Sequence, residues 1–372
     1  MNLQRTAIAL ALLALAGTAS ADITVKLGAA GPLTGPISHI GKDGENGIRL
    51  AIEDANAKGI TIGGQKAKFE LVSEDDQADP RTATTVAQRL ADAGVKGVIG
   101  HVTSGASIPA SRVYEQAGIP VITPSSTSPA LTNQGFKVTY RVIANDLQQA
   151  DAMANYAVKK LGVKRIAVID DRTAYGQGLA DALVASMKKL GVQVVGREFT
   201  NDKATDFMSI LTKIKGQNPD AIFYGGMDAQ GSPLLRQVRQ LGLKSVFLSG
   251  DGLCTAEMLK LSAKDLDNRV FCTQAGIPME KMPGGAKFKE RFKQRFNAEV
   301  QLYAPYNYDA ATALIEAMKA ANSAEPAKYL PALKALNIKG ITGNISFDAK
   351  GDIKEGGVTF YSYKDGKWAA AD

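Results

Sequence analysis

The chain has 372 residues, of which 22% are charged, 45% hydrophobic and 6% aromatic, an ordinary globular composition and enough length for two domains. The formal net charge is +7 and the pI near 9.1, but lysines and arginines are interspersed with acids, and no block of five like charges occurs. That pattern reads as a solvated surface and argues against a nucleic-acid arm. Two cysteines, two histidines and no CxxC or HExxH motif argue against a metal centre.

In chain order, the first segment is an export signal. Arg5 supplies a positive start, an apolar run extends from Ala7 to Ala16, and Ala19-Ser20-Ala21 is an A-x-A cleavage site. Cleavage is expected after Ala21, leaving a mature chain that begins at Asp22. The run is too short for a comfortable permanent span, and no other run reaches transmembrane length. Export removes the reducing environment, so Cys254 and Cys272 are expected to pair, the alternative being two buried thiols.

Ile23–Ala29 reads as a first buried strand and Gly31–Pro36 as a loop. A helix is expected over Gly47–Ala57, a strand over Phe69–Ser73, and a helix capped by Asp79, beginning at Pro80 and running to about Ala93. Val98-Ile99 is a short strand that stops at Gly100, followed by the loop Thr103-Ser104-Gly105 and a helix over Ile108–Gln116. Pro120-Val121-Ile122 is a second strand, closed by the loop Thr123-Pro124-Ser125-Ser126-Thr127.

Tyr140–Ile143 reads as a crossing strand, and Asp146 as the cap of a helix through Leu161. The alternation then repeats. Strands are expected at Arg165–Asp170, Val192–Phe199, Ala221–Tyr224 and Val246–Ser249, with helices at Gly178–Leu190, Phe207–Gly216 and Leu234–Leu241 between them. Strand Val270–Thr273 precedes helical segments near Ala286–Phe296, Tyr308–Asn322 and Pro326–Leu336, and short strands at Ile345-Phe347 and Val358–Tyr363 end the chain. A βαβα pattern on both sides of about Arg141 implies two α/β domains with parallel sheets. The late elements are easiest to place if the chain crosses between domains more than once.

Ligands of open α/β sheets bind beyond the carboxyl ends of the strands, where loops offer free N–H groups and helix N-termini. Two neighbouring hydroxyl-rich loops, one with Ser104 and one with Ser125 and Thr127, make a site for a small carboxylate, although such residues also cap helices and form turns. In the second half Tyr175, Met227 and Asp251 follow strand ends; the first two suit an apolar pocket and the third an ammonium group. Together these residues describe a site for a zwitterion.

Two enzymatic readings are weaker. Gly176-Gln177-Gly178 follows a strand and opens a helix, but Asp181 stands where a dinucleotide fingerprint has its third glycine. Ser104 follows His101 closely, but the surrounding Val102-Thr103-Ser104-Gly105-Ala106 is not a G-x-S-x-G elbow, and His101 reads as a packing residue.

The pieces VIGHVTSGASIPAS, YEQAGIPVITPSSTSPALT, DDRTAYGQGLA, IFYGGMDAQG, LLRQVRQLGLK and SFDAKGD occur in an order and spacing that resemble the leucine/isoleucine/valine-binding proteins of branched-chain amino acid ABC importers, over the whole mature chain. The resemblance implies a type I periplasmic-binding fold, with two Rossmann-like lobes joined by three crossings near Tyr140–Asn145, Phe271–Gly276 and Ser346–Gly351. The lobes are then residues 22–142 plus 275–347 and residues 143–274 plus 348–372.

It implies that the Ser104 hydroxyl and N–H bind a ligand carboxylate. The loop of Ser125 and Thr127 then supplies a carbonyl and a hydroxyl for the amine and an N–H for the carboxylate, and Tyr175 covers the ligand on closure. Asp251 stands where well-known members have Glu, and Ile40 and Met227 fall where they have aromatic residues. Their first-lobe disulfide has no counterpart, since Ala78 and Thr103 occupy those positions, and the Cys254–Cys272 pair lies in the second lobe. The function implied is a monomeric, non-enzymatic periplasmic receptor without cofactor, which delivers an L-amino acid (Leu, Ile or Val favoured) to an inner-membrane permease and its ATPase. A binding protein or sensor for another small amino acid or amide, or a hydrolase, is the alternative.

Overall fold

The computed structural model describes residues 22–371, so the expected export signal lies outside the described residues. Strand β1 (Ile23–Gly31), helix α1 (Ser38–Lys58), the hairpin β2 (Thr61–Ile62) and β3 (Gln65–Asp75), helix α2 (Pro80–Asp92), β4 (Val98–Gly100), α3 (Ser104–Ala117), β5 (Val121–Thr123) and β6 (Thr139–Arg141) build the first half. Their sheet has the order β2-β3-β1-β4-β5-β6 and is parallel except for the β2–β3 hairpin.

The second half continues with α4 (Asp146–Lys159), β7 (Arg165–Asp170), α5 (Ala174–Lys189), β8 (Gln193–Phe199), α6 (Met208–Gln217), β9 (Ala221–Gly225), α7 (Asp228–Gln240), β10 (Val246–Ser249), α8 (Ala256–Leu261) and β11 (Val270–Gln274). Helices α9 (Gly285–Phe296), α10 (Ala304–Ala320) and α11 (Pro326–Lys334), the hairpin β12 (Asn337–Lys339) and β13 (Asn344–Ser346), and strands β14 (Thr359–Lys364) and β15 (Lys367–Ala370) complete it. The second sheet runs β15-β14-β11-β10-β9-β7-β8, parallel from β11 to β8 and antiparallel at its β14–β15 edge.

Each sheet is covered on both faces, as parallel strands require. Val25, Leu27 and Phe69 of the first sheet pack with Leu314 and Met318 of α10 and Tyr329 and Leu333 of α11, so the late helices return to the first lobe. In the second lobe Ile166, Val168 and Phe223 face Leu179 and Leu183 of α5, while Ala167, Ile169 and Ile222 face Leu211 and Leu235 on the opposite side. The chain passes between the sheets after β6, after β11 and between β13 and β14.

Several helices begin earlier than their apolar spacing suggests. Helix α1 starts at Ser38 rather than Gly47, a start that Gly41, Gly44 and Gly47 hide from the sequence because glycine lowers local helix propensity. Packing demands those glycines: a Cβ on Gly47 would lie 2.1 Å from the Ala304 carbonyl oxygen, and one on Gly41 would lie 2.0 Å from that of Pro32. Helix α4 is capped by Asn145 in a reciprocal capping box with Gln148, which corrects the expectation that Asp146 is the cap; Asp146 is the first helical residue and is buried.

The crossings are pinned from behind by Arg141, whose side chain is fully buried. Its guanidinium donates to the carbonyls of Ser126 (3.1 Å) and Ser128 (2.9 Å), to the Thr132 hydroxyl and to Asp352 in the third crossing. One cation thus holds the loop after β5 against the segment that leads to β14.

Cys254 and Cys272 are bonded, and the bridge ties the turn after β10 to β11 across a sequence separation of 18 residues. The loop-closure argument assigns such a bridge about 3 kcal/mol. Replacing both cysteines with alanine is expected to lower the unfolding free energy by about that amount. An unchanged denaturation midpoint would show that the bridge adds nothing to stability.

Candidate functional site

The site forms where the carboxyl ends of the two sheets face each other. On the first lobe β4 passes almost directly into α3. Thr103 is the N-cap and Ser104 the first helical residue, so the loop expected at Ser104 is in fact the first helical turn. A helix start leaves its first N–H groups without intrahelical partners, a natural seat for an anion.

The neighbouring loop after β5 is stitched to this turn. Ser125 Oγ donates to the Val102 carbonyl (2.9 Å), Thr123 Oγ1 donates to the His101 carbonyl (2.9 Å), and the Ser128 N–H donates to Ser104 Oγ (3.2 Å). The His101 ring is committed on both nitrogens, to Asp76 at 2.7 Å and to the Tyr114 hydroxyl at 3.1 Å. It is buried scaffold beneath the loops and not a base beside Ser104.

On the second lobe Asp251 lies in a short turn between Gly250 and Gly252. These glycines allow close approach, because a Cβ on Gly250 would lie 2.3 Å from Leu179 and one on Gly252 2.6 Å from the Gly226 carbonyl oxygen. Asp251 is fully buried and accepts from the Tyr175 hydroxyl (2.8 Å), from Gln149 Nε2 (3.0 Å) and from the Tyr303 hydroxyl. Tyr175 in turn accepts from the Gly252 N–H, and Thr273 Oγ1 donates to Gln149 Oε1. Tyr175 therefore belongs to the first turn of α5, and Met227 is the N-cap of α7; neither sits in a free loop.

Tyr303 reaches Asp251 from the other lobe. It stands at the start of α10, where the buried Asp43 of α1 accepts the N–H groups of Gln301, Leu302, Tyr303 and Ala304 at 2.9 to 3.1 Å. A second bond also joins the lobes: His39 Nε2 of α1 lies 2.9 Å from Asp228 Oδ2 of α7, which also accepts from the Thr255 hydroxyl. The lobes are thus drawn together over the site.

Ser104, Ser125, Tyr175, Met227 and Asp251 line one cavity. Ile40 and Val102 complete its apolar part, and Thr103, Gly252 and Tyr303 also face it. Thr127 does not line this cavity. It is buried beside it, with its hydroxyl near Asp146 and its carbonyl accepting the Asp146 N–H at 2.9 Å.

The sequence reading does not assign Tyr303, Gln149, Thr103, Asp146 or Arg141 to the site. Asn145 and Gln148 flag a helix start there, but nothing local marks Asp146 or Gln149 as inward-facing toward the site.

Burial dominates the electrostatics. It pushes the Asp251 carboxyl up against the opposing hydrogen bonds from Tyr303, Gln149 and Tyr175, and it drives both tyrosines well above their ordinary range, so they remain donors. Asp146 is pushed up to about 8 by burial and by the charge of Asp251, against the lowering effect of Thr127 and Arg141. Neither of its oxygens has a partner of good hydrogen-bond geometry. The first lobe therefore offers hydroxyl and N–H donors, and the second a buried carboxylate, to one cavity.

A family model described as periplasmic binding protein matches residues 24–367. An amino acid binding protein of Pseudomonas aeruginosa is 36% identical over 355 residues, covering 95% of this chain and 93% of that protein. Among solved structures, the leucine binding protein LivK of Thermotoga maritima superposes with a TM-score of 0.86 at 31% identity, covering 94% of this chain and 98% of that one. LivJ of Streptococcus pneumoniae, a branched-chain amino acid transporter substrate binding protein solved in complex with isoleucine, gives 0.85 at 27% identity, covering 94% and 99%.

The bond between His39 and Asp228 generates a pH prediction. Burial lowers the His39 pKa, but the hydrogen bond and charge of Asp228, with Glu257 and Asp43 nearby, outweigh it and raise the value above 6.5. The protonated pair favours closure fully below that ordinary value and loses its effect as pH rises through the raised one. Small-angle scattering of ligand-free protein is expected to show the closed fraction falling with rising pH more steeply in the wild type than in His39→Gln. Parallel profiles would show that the pair carries no closure energy.

Proposed function

The chain belongs to the periplasmic binding protein family, and from that premise we propose that it captures an L-amino acid between its lobes and delivers it to an ABC permease. The observation that carries this reading is the opposition of donors at the start of α3 to a buried carboxylate at Asp251. An α-amino acid presents the complementary pair of charges.

The ligand carboxylate takes the Ser104 hydroxyl and N–H, and the ammonium takes the Ser125 carbonyl and Asp251, while Thr127 braces the wall from behind. A carboxylate has about four lone-pair sites. Three bonds to Asp251 come from the protein, which leaves room for an ammonium. Asp146 adds a second acidic group beside Thr127. Tyr175 closes over the ligand, and Ile40, Val102 and Met227 receive its side chain. Aliphatic ligands suit that apolar wall, with Leu, Ile and Val the first candidates.

The receptor works without chemistry on its ligand and without a cofactor. It acts as a monomer in the periplasm after loss of residues 1–21, with an inner-membrane permease and its ATPase as partners. The lobes on this reading are residues 22–142 plus 275–347 and residues 143–274 plus 348–372, a division supported by the membership of strands in the two sheets.

Calorimetric titration of mature protein, unfolded and refolded to strip bound ligand, against the twenty L-amino acids tests the proposal. Submicromolar to low-micromolar binding of an aliphatic amino acid is expected, and no binding of any amino acid would overturn the reading. Asp251→Ala is expected to weaken binding at least about tenfold, since a charge-assisted bond contributes about 1.5–3 kcal/mol. Unchanged affinity would remove Asp251 from the site. Ser104→Ala is expected to weaken binding while leaving the melting temperature in place; a lower melting temperature with intact affinity would make Ser104 a structural residue.

A further inference from the structure

Thr103 is an N-cap that does not cap. Its backbone has the extended geometry of an N-cap, φ −88° and ψ 146°, yet its side chain makes no bond to the helix. Its carbonyl accepts the N–H groups of Ala106 and Ser107 at 3.1 and 2.9 Å, as at any helix start. An N-cap threonine ordinarily turns its hydroxyl toward the N–H groups two and three residues on, here Gly105 and Ala106. Here the hydroxyl makes no such bond.

Thr103 Oγ1 is buried and has no hydrogen-bond partner among the described residues. The other hydroxyls lining the same cavity are engaged within the protein: Ser125 on Val102, Tyr175 and Tyr303 on Asp251, and Ser104 as acceptor from Ser128. A buried hydroxyl left unpaired costs about 1–3 kcal/mol. Beside it in the lining lie Val102, Ile40 and Met227, the apolar part of the cavity.

We infer that Thr103 reads the ligand side chain, placing one hydrogen-bonding position in an otherwise apolar wall, so that a small aliphatic L-amino acid bearing a β-hydroxyl binds in preference to its hydrocarbon isostere. The inference rests on the proposal that the cleft holds an L-amino acid, and it adds threonine, ahead of its isostere valine, to the side chains named there. A purely apolar pocket separates valine from its hydroxylated isostere weakly, whereas a site whose own polar group is stranded by the wrong ligand separates them strongly.

The test uses the stripped wild-type protein, Thr103→Val and Thr103→Ser, each titrated with L-threonine and L-valine, with melting curves as a check on folding. The wild type is expected to bind threonine about tenfold or more tighter than valine. Thr103→Val, isosteric with the native residue, is expected to abolish or invert that ratio, and Thr103→Ser to keep it. Equal binding of the two ligands by the wild type would overturn the inference. So would an equal loss of both in Thr103→Val, which would assign the hydroxyl to the ligand's α-carboxylate or to the fold. Binding of valine alone overturns this inference and leaves the receptor reading intact; failure of every amino acid to bind removes the reading beneath it.

Discussion

A carboxylate buried where two lobes meet must be held by hydrogen bonds, and the donors that hold Asp251 come from three separate parts of the chain. Gln149 lies on α4, Tyr175 on α5, and Tyr303 reaches over from the first lobe. Bringing them together requires the sheet order of the second lobe and the return of α10 to the first. Stranding a buried charged group is among the more damaging local errors a fold can contain. The turn Gly250-Asp251-Gly252, the glycines that admit it and the nearby disulfide are consistent with one requirement, a fixed anion facing the first lobe.

The first lobe meets the complementary requirement with neutral donors. Its two strand-end segments are cross-linked through the carbonyls of His101 and Val102, while the His101 ring is anchored on Asp76 and Tyr114. Arg141 supports the same loop from behind and bonds Asp352 in the third crossing. The loop at the cavity and the segment that crosses to β14 are therefore mechanically connected. A hinge-closing receptor needs a site completed only on closure. The bonds of Tyr303 to Asp251 and of His39 to Asp228 exist only while the lobes are together.

Much of this was legible in the chain itself. Alternating strands and helices on both sides of Arg141 gave two α/β lobes, and glycines after strands marked the ends where the site forms. Ser104, Ser125 and Asp251 were visible because small polar residues follow short apolar runs at strand ends. What escaped notice was non-local or locally ambiguous. Tyr303 is far along the chain from Asp251, and no pattern near it points to the cleft. Asn145 and Asp146 are both good caps, and only the backbone decides that Asn145 caps while Asp146 is buried. The glycines of α1 disguise a long helix because their purpose, close contact with Ala304 and Pro32, lies in packing.

The most direct test of the account is a crystal structure of the protein grown with whichever L-amino acid it binds in titration. The account requires the ligand carboxylate within hydrogen-bond reach of the Ser104 hydroxyl and N–H, its ammonium on Asp251, and its side chain against Ile40, Val102 and Met227. A ligand bound outside this cavity, or seated with its carboxylate remote from Ser104, would contradict it.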